Sequence, residues 1–192
     1  MIKFGIISDL HLDEWWSYAK PHPEWASSRL ADIIKAAEYA INFFKEKKIR
    51  DILHPGDFFH AKGMLSVPVL KAAKYLFDHA LQFQLLIDLE SNHGSYDKVG
   101  YHHVSQIFSS VNLDYSQYLS LSKENPFFID EKARLIILGI PYVNTEKEFE
   151  DWIDKIAGVY ETYKYRNCVV MIHQGIKESK LKNAPLISQS AY

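Results

Sequence analysis

The sequence predicts an α/β fold built on a mainly parallel sheet, and three observations carry that expectation. Short apolar runs recur at Ile2–Ile7, Asp51–His54 and Gln84–Leu89. The stretches between them space their apolar residues as helices do. A later pair of runs, Phe127–Asp130 and Arg134–Ile140, flanks the turn Glu131-Lys132 and predicts a second, mixed sheet.

Each element has a local reason. Ile2–Ile7 (IKFGII) reads as a buried strand that stops at Ser8-Asp9. A helix fits Ser28–Lys48, where Leu30, Ile33, Ile34, Ala37, Ile41 and Phe44 share one face. Serines precede it as caps, and Lys45, Lys47 and Lys48 lie in its last turn. Asp51–His54 is a brief strand ended by Pro55-Gly56. Ser66–Ala80 is predicted helical, with Ser66 as cap and Leu70, Ala73 and Phe77 facing inward. Gln84–Leu89 is the third strand, and a weaker helical pattern covers Tyr101–Ser109. Thr145–Tyr163 is a helix opened by a Thr145/Glu148 capping box, with Phe149, Trp152, Ile153, Ile156 and Tyr160 as its apolar stripe. Cys168–Ile172 (CVVMI) reads as another short buried strand, ending at His173.

Composition narrows the function classes. Of 192 residues, 47% are hydrophobic and 24% charged, ordinary for a globular domain. No window approaches the roughly 18–20 apolar residues of a membrane span. The N-terminus runs straight into a strand without a signal-peptide pattern, and the single Cys168 excludes an internal disulfide. A cytoplasmic protein is the expectation. The net charge of −2 argues against a grip on nucleic acid through a general basic surplus; local basic patches or bound cations would have to supply it. The cluster Lys45, Lys47, Lys48 and Arg50 reads first as a solvated complement to the helix dipole.

In open α/β sheets, ligands bind beyond the carboxyl ends of the strands. Asp9 and His11 follow the first strand, Gly56 and Asp57 the second, Asn92 and His93 the third, and His173 the CVVMI strand. Asp9 and His11 stand at i and i+2, Asp57 has two oxygens with which to bridge cations, Asn92 offers a carbonyl oxygen and His173 an imidazole. Such mixed oxygen and nitrogen donors suit Mn²⁺, Fe or Zn²⁺ better than Mg²⁺ or Ca²⁺. Taken singly, each of these residues is more often a turn or strand-end residue than a ligand. Their recurrence after four separate strands points to a metal centre, in which His93 could assist a leaving oxygen.

Ser8-Asp9-Leu10-His11, Gly56-Asp57, Asn92-His93 and His173 together resemble the motifs of the calcineurin-like metallophosphoesterases. Within that superfamily the chain resembles the SbcD-type DNA double-strand-break repair nucleases, including phage relatives. Gly56-Asp57-Phe58-Phe59-His60, Leu138-Gly139-Ile140-Pro141-Tyr142 and Met171-Ile172-His173-Gln174 carry that likeness. The resemblance implies a two-sheet sandwich flanked by helices and a centre of two divalent metals, most typically Mn²⁺. By position, Asp9, His11 and Asp57 would hold one ion, and Asp57, Asn92 and His173 the other. His93 would be the transition-state histidine, and His60 would shape the site. The family's third motif is usually G-N-H-D or G-N-H-E, where this chain has Ser91-Asn92-His93-Gly94; its fifth, G-H-x-H, has no counterpart after His173. The expectation is therefore a nuclease core over residues 1–192 that is truncated at its C-terminus, the capping and ATPase-binding segments lying further on.

The implied activity is a metal-dependent DNA exo/endonuclease subunit, acting in repair or recombination through a metal-activated hydroxide and partnered by an SbcC-type ATPase. A phosphatase or small-molecule phosphodiesterase on the same scaffold is the alternative enzyme. A catalytically impaired interaction module is the alternative outside enzymology. The aromatic loop Asp13–Trp25 (DEWWSYAKPHPEW) reads first as packing at the end of the sheet, with base stacking or a homodimer contact as other uses.

Overall fold

The computed structural model describes residues 2–60, 64–80, 82–91, 118–164 and 167–174. It is a mixed α/β structure in four layers. Strands β1 (Phe4–Ile6), β4 (Asp51–His54), β5 (Leu85–Leu89) and β6 (Tyr118–Leu121) form an all-parallel sheet in the order β1-β4-β5-β6. Strands β7 (Phe127–Asp130), β8 (Leu135–Ile140) and β9 (Asn167–Ile172) form the second sheet, antiparallel between β7 and β8 and parallel between β8 and β9. A ribbon of β2 (Pro21–His22) and β3 (Ala26–Ser27) leads into helix α1 (Ser28–Glu46). Helices α2 (Val67–Ala80) and α3 (Glu146–Tyr163) complete the described elements.

Side-chain alternation sorts each strand between two cores. Leu53, Ile87, Leu89 and Leu121 of the first sheet meet Leu135, Ile137 and Met171 of the second, forming the middle of the sandwich. Ile52 and Leu86 point the other way, into a core with Leu30, Ile34, Ala37 and Ile41 of α1 and Ala73, Leu76 and Phe77 of α2. Ile136, Leu138 and Ile140 face Ile156 of α3. The sheets are packed tightly at Gly139, where a Cβ would lie 2.8 Å from Leu89 Cδ1 and 2.9 Å from Leu121 Cβ. Among the described residues, no helix is long and apolar enough to cross a membrane.

Helix limits follow capping chemistry. Ser27 caps α1, its Oγ accepting from Leu30 N at 3.1 Å. The capping box opens α3: Thr145 Oγ1 accepts from Glu148 N at 3.2 Å, and Glu148 Oε2 accepts from Thr145 N at 3.1 Å.

Several expectations need correction. Among the described residues, the first and last predicted strands lie at sheet edges rather than being buried: Ile6 of β1 is 62% exposed and Val170 of β9 is 44% exposed. A run of apolar residues does not reveal how many neighbours its strand has. Ile153 of the α3 stripe is 41% exposed, because Phe149, Trp152, Ile156 and Tyr160 suffice to cover the sheet. Leu70 of α2 is half-buried, and Val69, Ala72 and Leu76 take the inward positions. β6 has no counterpart among the predicted strands. The helical pattern at Tyr101–Ser109 lies outside the described residues.

Candidate metal centre

The chain leaves β1 and β4 side by side, and the two loops stay zipped together beyond the sheet. Asp9 N donates to Gly56 O at 3.1 Å, His11 N to Asp57 O at 2.9 Å and Leu12 N to Phe58 O at 2.9 Å. His60 N then donates to Leu12 O at 3.3 Å, and Leu12 forms a bridge with Phe59. This second, irregular ladder carries Asp9 and His11 to the same place as Asp57 and His60. It does so through left-handed backbone at Asp9 (φ 56°), His11 (φ 46°) and Asp57 (φ 56°). Such conformations are costly for residues other than glycine and persist where surrounding structure holds them, often at functional sites.

Three elements converge on Asp57, whose carboxylate is buried. Its Oδ2 lies 3.2 Å from His173 Nε2 and 3.4 Å from His11 Nε2. Ligand atoms of Asp9, Asp57 and His173 all fall within 4.8 Å of one another. Two donors about 2.1 Å from one ion, at tetrahedral to right angles, are about 3.0–3.4 Å apart. The Asp57–histidine separations therefore suit shared coordination of a divalent cation, and the donor set is one that Mn²⁺, Fe or Zn²⁺ accepts.

The histidines are oriented as ligands require. His173 Nδ1 sits 2.9 Å from Pro55 O, an acceptor that places the proton on Nδ1 and turns the Nε2 lone pair towards Asp57. His11 Nδ1 lies 3.4 Å from His60 Nδ1, which gives His11 the same kind of outer partner. Gln174 locks the strand end from the other side: its Oε1 accepts from Val143 N at 3.2 Å and its Nε2 donates to Val143 O at 3.1 Å. Burial opposes a charged His173 imidazolium, but the hydrogen bond and charge of Asp57, the charge of Asp9 and the Pro55 carbonyl outweigh it. The His173 pKa is raised as a result. Proton and cation thus compete for one nitrogen.

Two neighbours make room and hold position. Gly56 adopts φ 116°, and a Cβ there would lie 2.8 Å from both His173 Nδ1 and Ser91 Cβ. Ser91 Oγ accepts from Asp57 N at 2.9 Å, so the side chain just beyond β5 holds the backbone that carries the central carboxylate. Outward from the cluster runs an aromatic ladder. The Trp15 ring lies 4.1 Å from that of His60, Tyr18 stacks 5.8 Å beyond Trp15, and the Arg29 guanidinium lies 5.9 Å from the Tyr18 ring. Trp25, from the same loop, is instead buried against Tyr75.

Of the residues singled out from sequence, Asp9, His11, Asp57, His60 and His173 are gathered at one end of the sandwich. Asn92 and His93 lie outside the described residues. Sequence reading missed the supporting role of Ser91, treating it as a departure from a motif, and it missed the Pro55 carbonyl and the grip of Gln174 on Val143. Pro55 had a signal, since a proline cannot donate and so ends the ladder beside the Gly56 turn. Ser91 had none, because its bond to Asp57 exists only once β4 and β5 are paired. Compared with known proteins, the chain matches no family model and no curated protein.

Proposed function

We propose that the chain is the metal-binding core of a calcineurin-like metallophosphoesterase of the SbcD type, a DNA exo/endonuclease that works with an SbcC-type ATPase in repair or recombination. The observation that carries this reading is the placement of Asp57 Oδ2 between His173 Nε2 and His11 Nε2, with Asp9 beside them, beyond the strand ends. Two divalent cations, with Mn²⁺ the best match to the donors, would be held by Asp9, His11, Asp57 and His173, together with Asn92 by resemblance. When bound, such ions supply Lewis-acid activation of a water and of a phosphate oxygen.

The chain's own residues have separable tasks in this reading. Asp57 joins the two halves of the centre, and Pro55 and His60 aim the imidazoles that flank it. His93, by resemblance, donates to or stabilises the leaving oxygen. The exposed end of the Trp15–Tyr18 ladder, with Arg29 over Tyr18, offers a base a stacking surface and a phosphate a cation. That combination favours a nucleic-acid substrate over a small phosphomonoester.

The test is degradation of linear DNA in Mn²⁺ by the purified chain and its variants. Asp57→Ala is expected to abolish activity. His93→Ala should lower it on the order of 10²–10⁴-fold, the range supplied by a positioned acid–base group. Unchanged activity in Asp57→Ala would sink the proposal. Hydrolysis of para-nitrophenyl phosphate esters with none of DNA would transfer the assignment to the phosphatase alternative, and a folded chain that takes up no metal would transfer it to an interaction module.

A further inference from the structure

Helix α1 has two faces, and the fold uses one of them. Leu30, Ile34, Ala37 and Ile41 are buried in the core that α1 shares with α2 and the first sheet. Glu38 turns towards α2, where the Tyr75 hydroxyl donates to its carboxylate, and Phe44 lies over Gly5 of β1. At 3.6 residues per turn, Asp32, Ala36, Tyr39, Ala40, Phe43 and Lys47 share the opposite side, within about 100° of arc. The middle of that stripe is apolar: Tyr39 is 76% exposed and Phe43 is 43% exposed, one turn apart, with the two alanines beside them. A single exposed apolar residue needs no explanation, but four in one helical stripe make a continuous patch.

The stripe is complementary to itself. About a two-fold axis passing between Tyr39 and Ala40, an antiparallel copy of α1 sets Asp32 opposite Lys47 of the second copy. The same operation sets Ala36 opposite Phe43 of the second copy, and Tyr39 opposite its Ala40. Each aromatic ring then meets a small side chain, which lets the helices approach and pack ridge into groove. Each end of the contact pairs an acid with a base. Within one chain Asp32 holds a long, exposed contact with Arg29 at 3.8 Å, and Lys47 Nζ lies 5.4 Å from the Phe43 ring. The cation thus already stands beside the ring it would flank. Sliding the copy by about one turn one way sets Tyr39 against Phe43 and Lys35 against Lys47; sliding it the other way sets Asp32 against Phe43. Charge therefore selects the register, and the aromatic rings supply the contact area.

We propose that the outer face of α1 docks a second copy of this chain, helix against antiparallel helix about a two-fold axis between Tyr39 and Ala40. In such an interface every pairing occurs twice, so each side chain counts double. None of the six residues belongs to the candidate metal centre, and the proposal does not depend on the nuclease reading.

Sedimentation equilibrium of the full chain through the upper micromolar range should show a monomer–dimer equilibrium. Phe43→Glu should weaken the dimer on the order of thirtyfold, as loss of a buried aromatic anchor does. Lys47→Asp should weaken it roughly two- to thirtyfold, the range for two exposed ion pairs. Adding Asp32→Lys to Lys47→Asp should restore the dimer, because the pair is then reversed rather than broken. Oxidative cross-linking reads the register with the aromatic rings intact. In a Cys168→Ser background, Ala40→Cys should form a disulfide between copies, the two positions being about 1.5 Å apart along the helix axis. Lys47→Cys should not, its copies lying about 22 Å apart along that axis. A dimer indifferent to Phe43→Glu, no recovery on charge reversal, or equal cross-linking from both positions would each overturn the proposal. So would a monomeric wild type, which would leave the face to a different partner.

Discussion

At Gly56 the backbone turns through φ 116° while His173 and Ser91 close in on the space a side chain would need. A substitution there meets both strain and a clash. Gly56→Ala is expected to cost about 1–3 kcal/mol, as left-handed and related conformations do for other residues, which would show in the urea midpoint. Displacing His173 should also weaken Mn²⁺ uptake roughly tenfold or more, the scale seen when partners that orient metal ligands are lost; calorimetric titration measures it. Unaltered uptake would mean that His173 is not held by this packing. The residue types of the site were legible in the sequence, because Asp9, His11, Asp57 and His173 each follow an apolar run. The left-handed backbone of Asp9, His11 and Asp57 was not, since a residue type says only which conformations it tolerates and not which one the fold imposes.

Helix α1 shows how an element is fixed by its ends and by one face. Ser27 is fully buried, and its Oγ bond to Leu30 N starts the helix against the ribbon β2–β3. Ser27→Ala should cost about 1–2 kcal/mol, the upper part of the range for lost N-caps, because no water can replace the bond. Ser66→Ala at the start of α2 should cost less, its Oγ lying a longer 3.4 Å from Val69 N. Urea midpoints of the two variants provide the comparison, and an equal or reversed order would contradict this account of α1. Helical periodicity made α1 and α3 legible, and the capping box marked the start of α3 to the residue. The edge positions of β1 and β9 were not legible, nor was β6, because strand pairing is decided by partners distant in sequence.

The two sheets meet over a charge that the whole molecule has to accommodate. Glu90 N donates to Leu121 O, and Glu90 O accepts from Tyr142 N at the end of the second sheet. Its carboxyl is pushed up to about 7 by burial first, then by Glu124 and Asp88, with Lys123 opposing. A carboxyl raised in the folded state stabilises most below its ordinary value of 4.5, and that contribution is lost as pH rises through about 7. Wild-type stability should therefore decline between pH 5 and 8 by about 1–3 kcal/mol through this group, and Glu90→Gln should remove that part of the slope. Urea unfolding with EDTA present, at both ends of the range, tests it; an identical slope in the variant would contradict it. The sequence by itself determined the α/β class, the helices with their caps and the Asp and His side chains at strand ends, because these depend on periodicity and on neighbours a few positions away. Tertiary structure alone decided which strands lie at edges among the described residues, that Ser91 holds the Asp57 backbone, and that His54 and Asp88 pair across β4 and β5. Those outcomes arise when segments more than thirty residues apart are packed together, and no local pattern encodes a contact of that range.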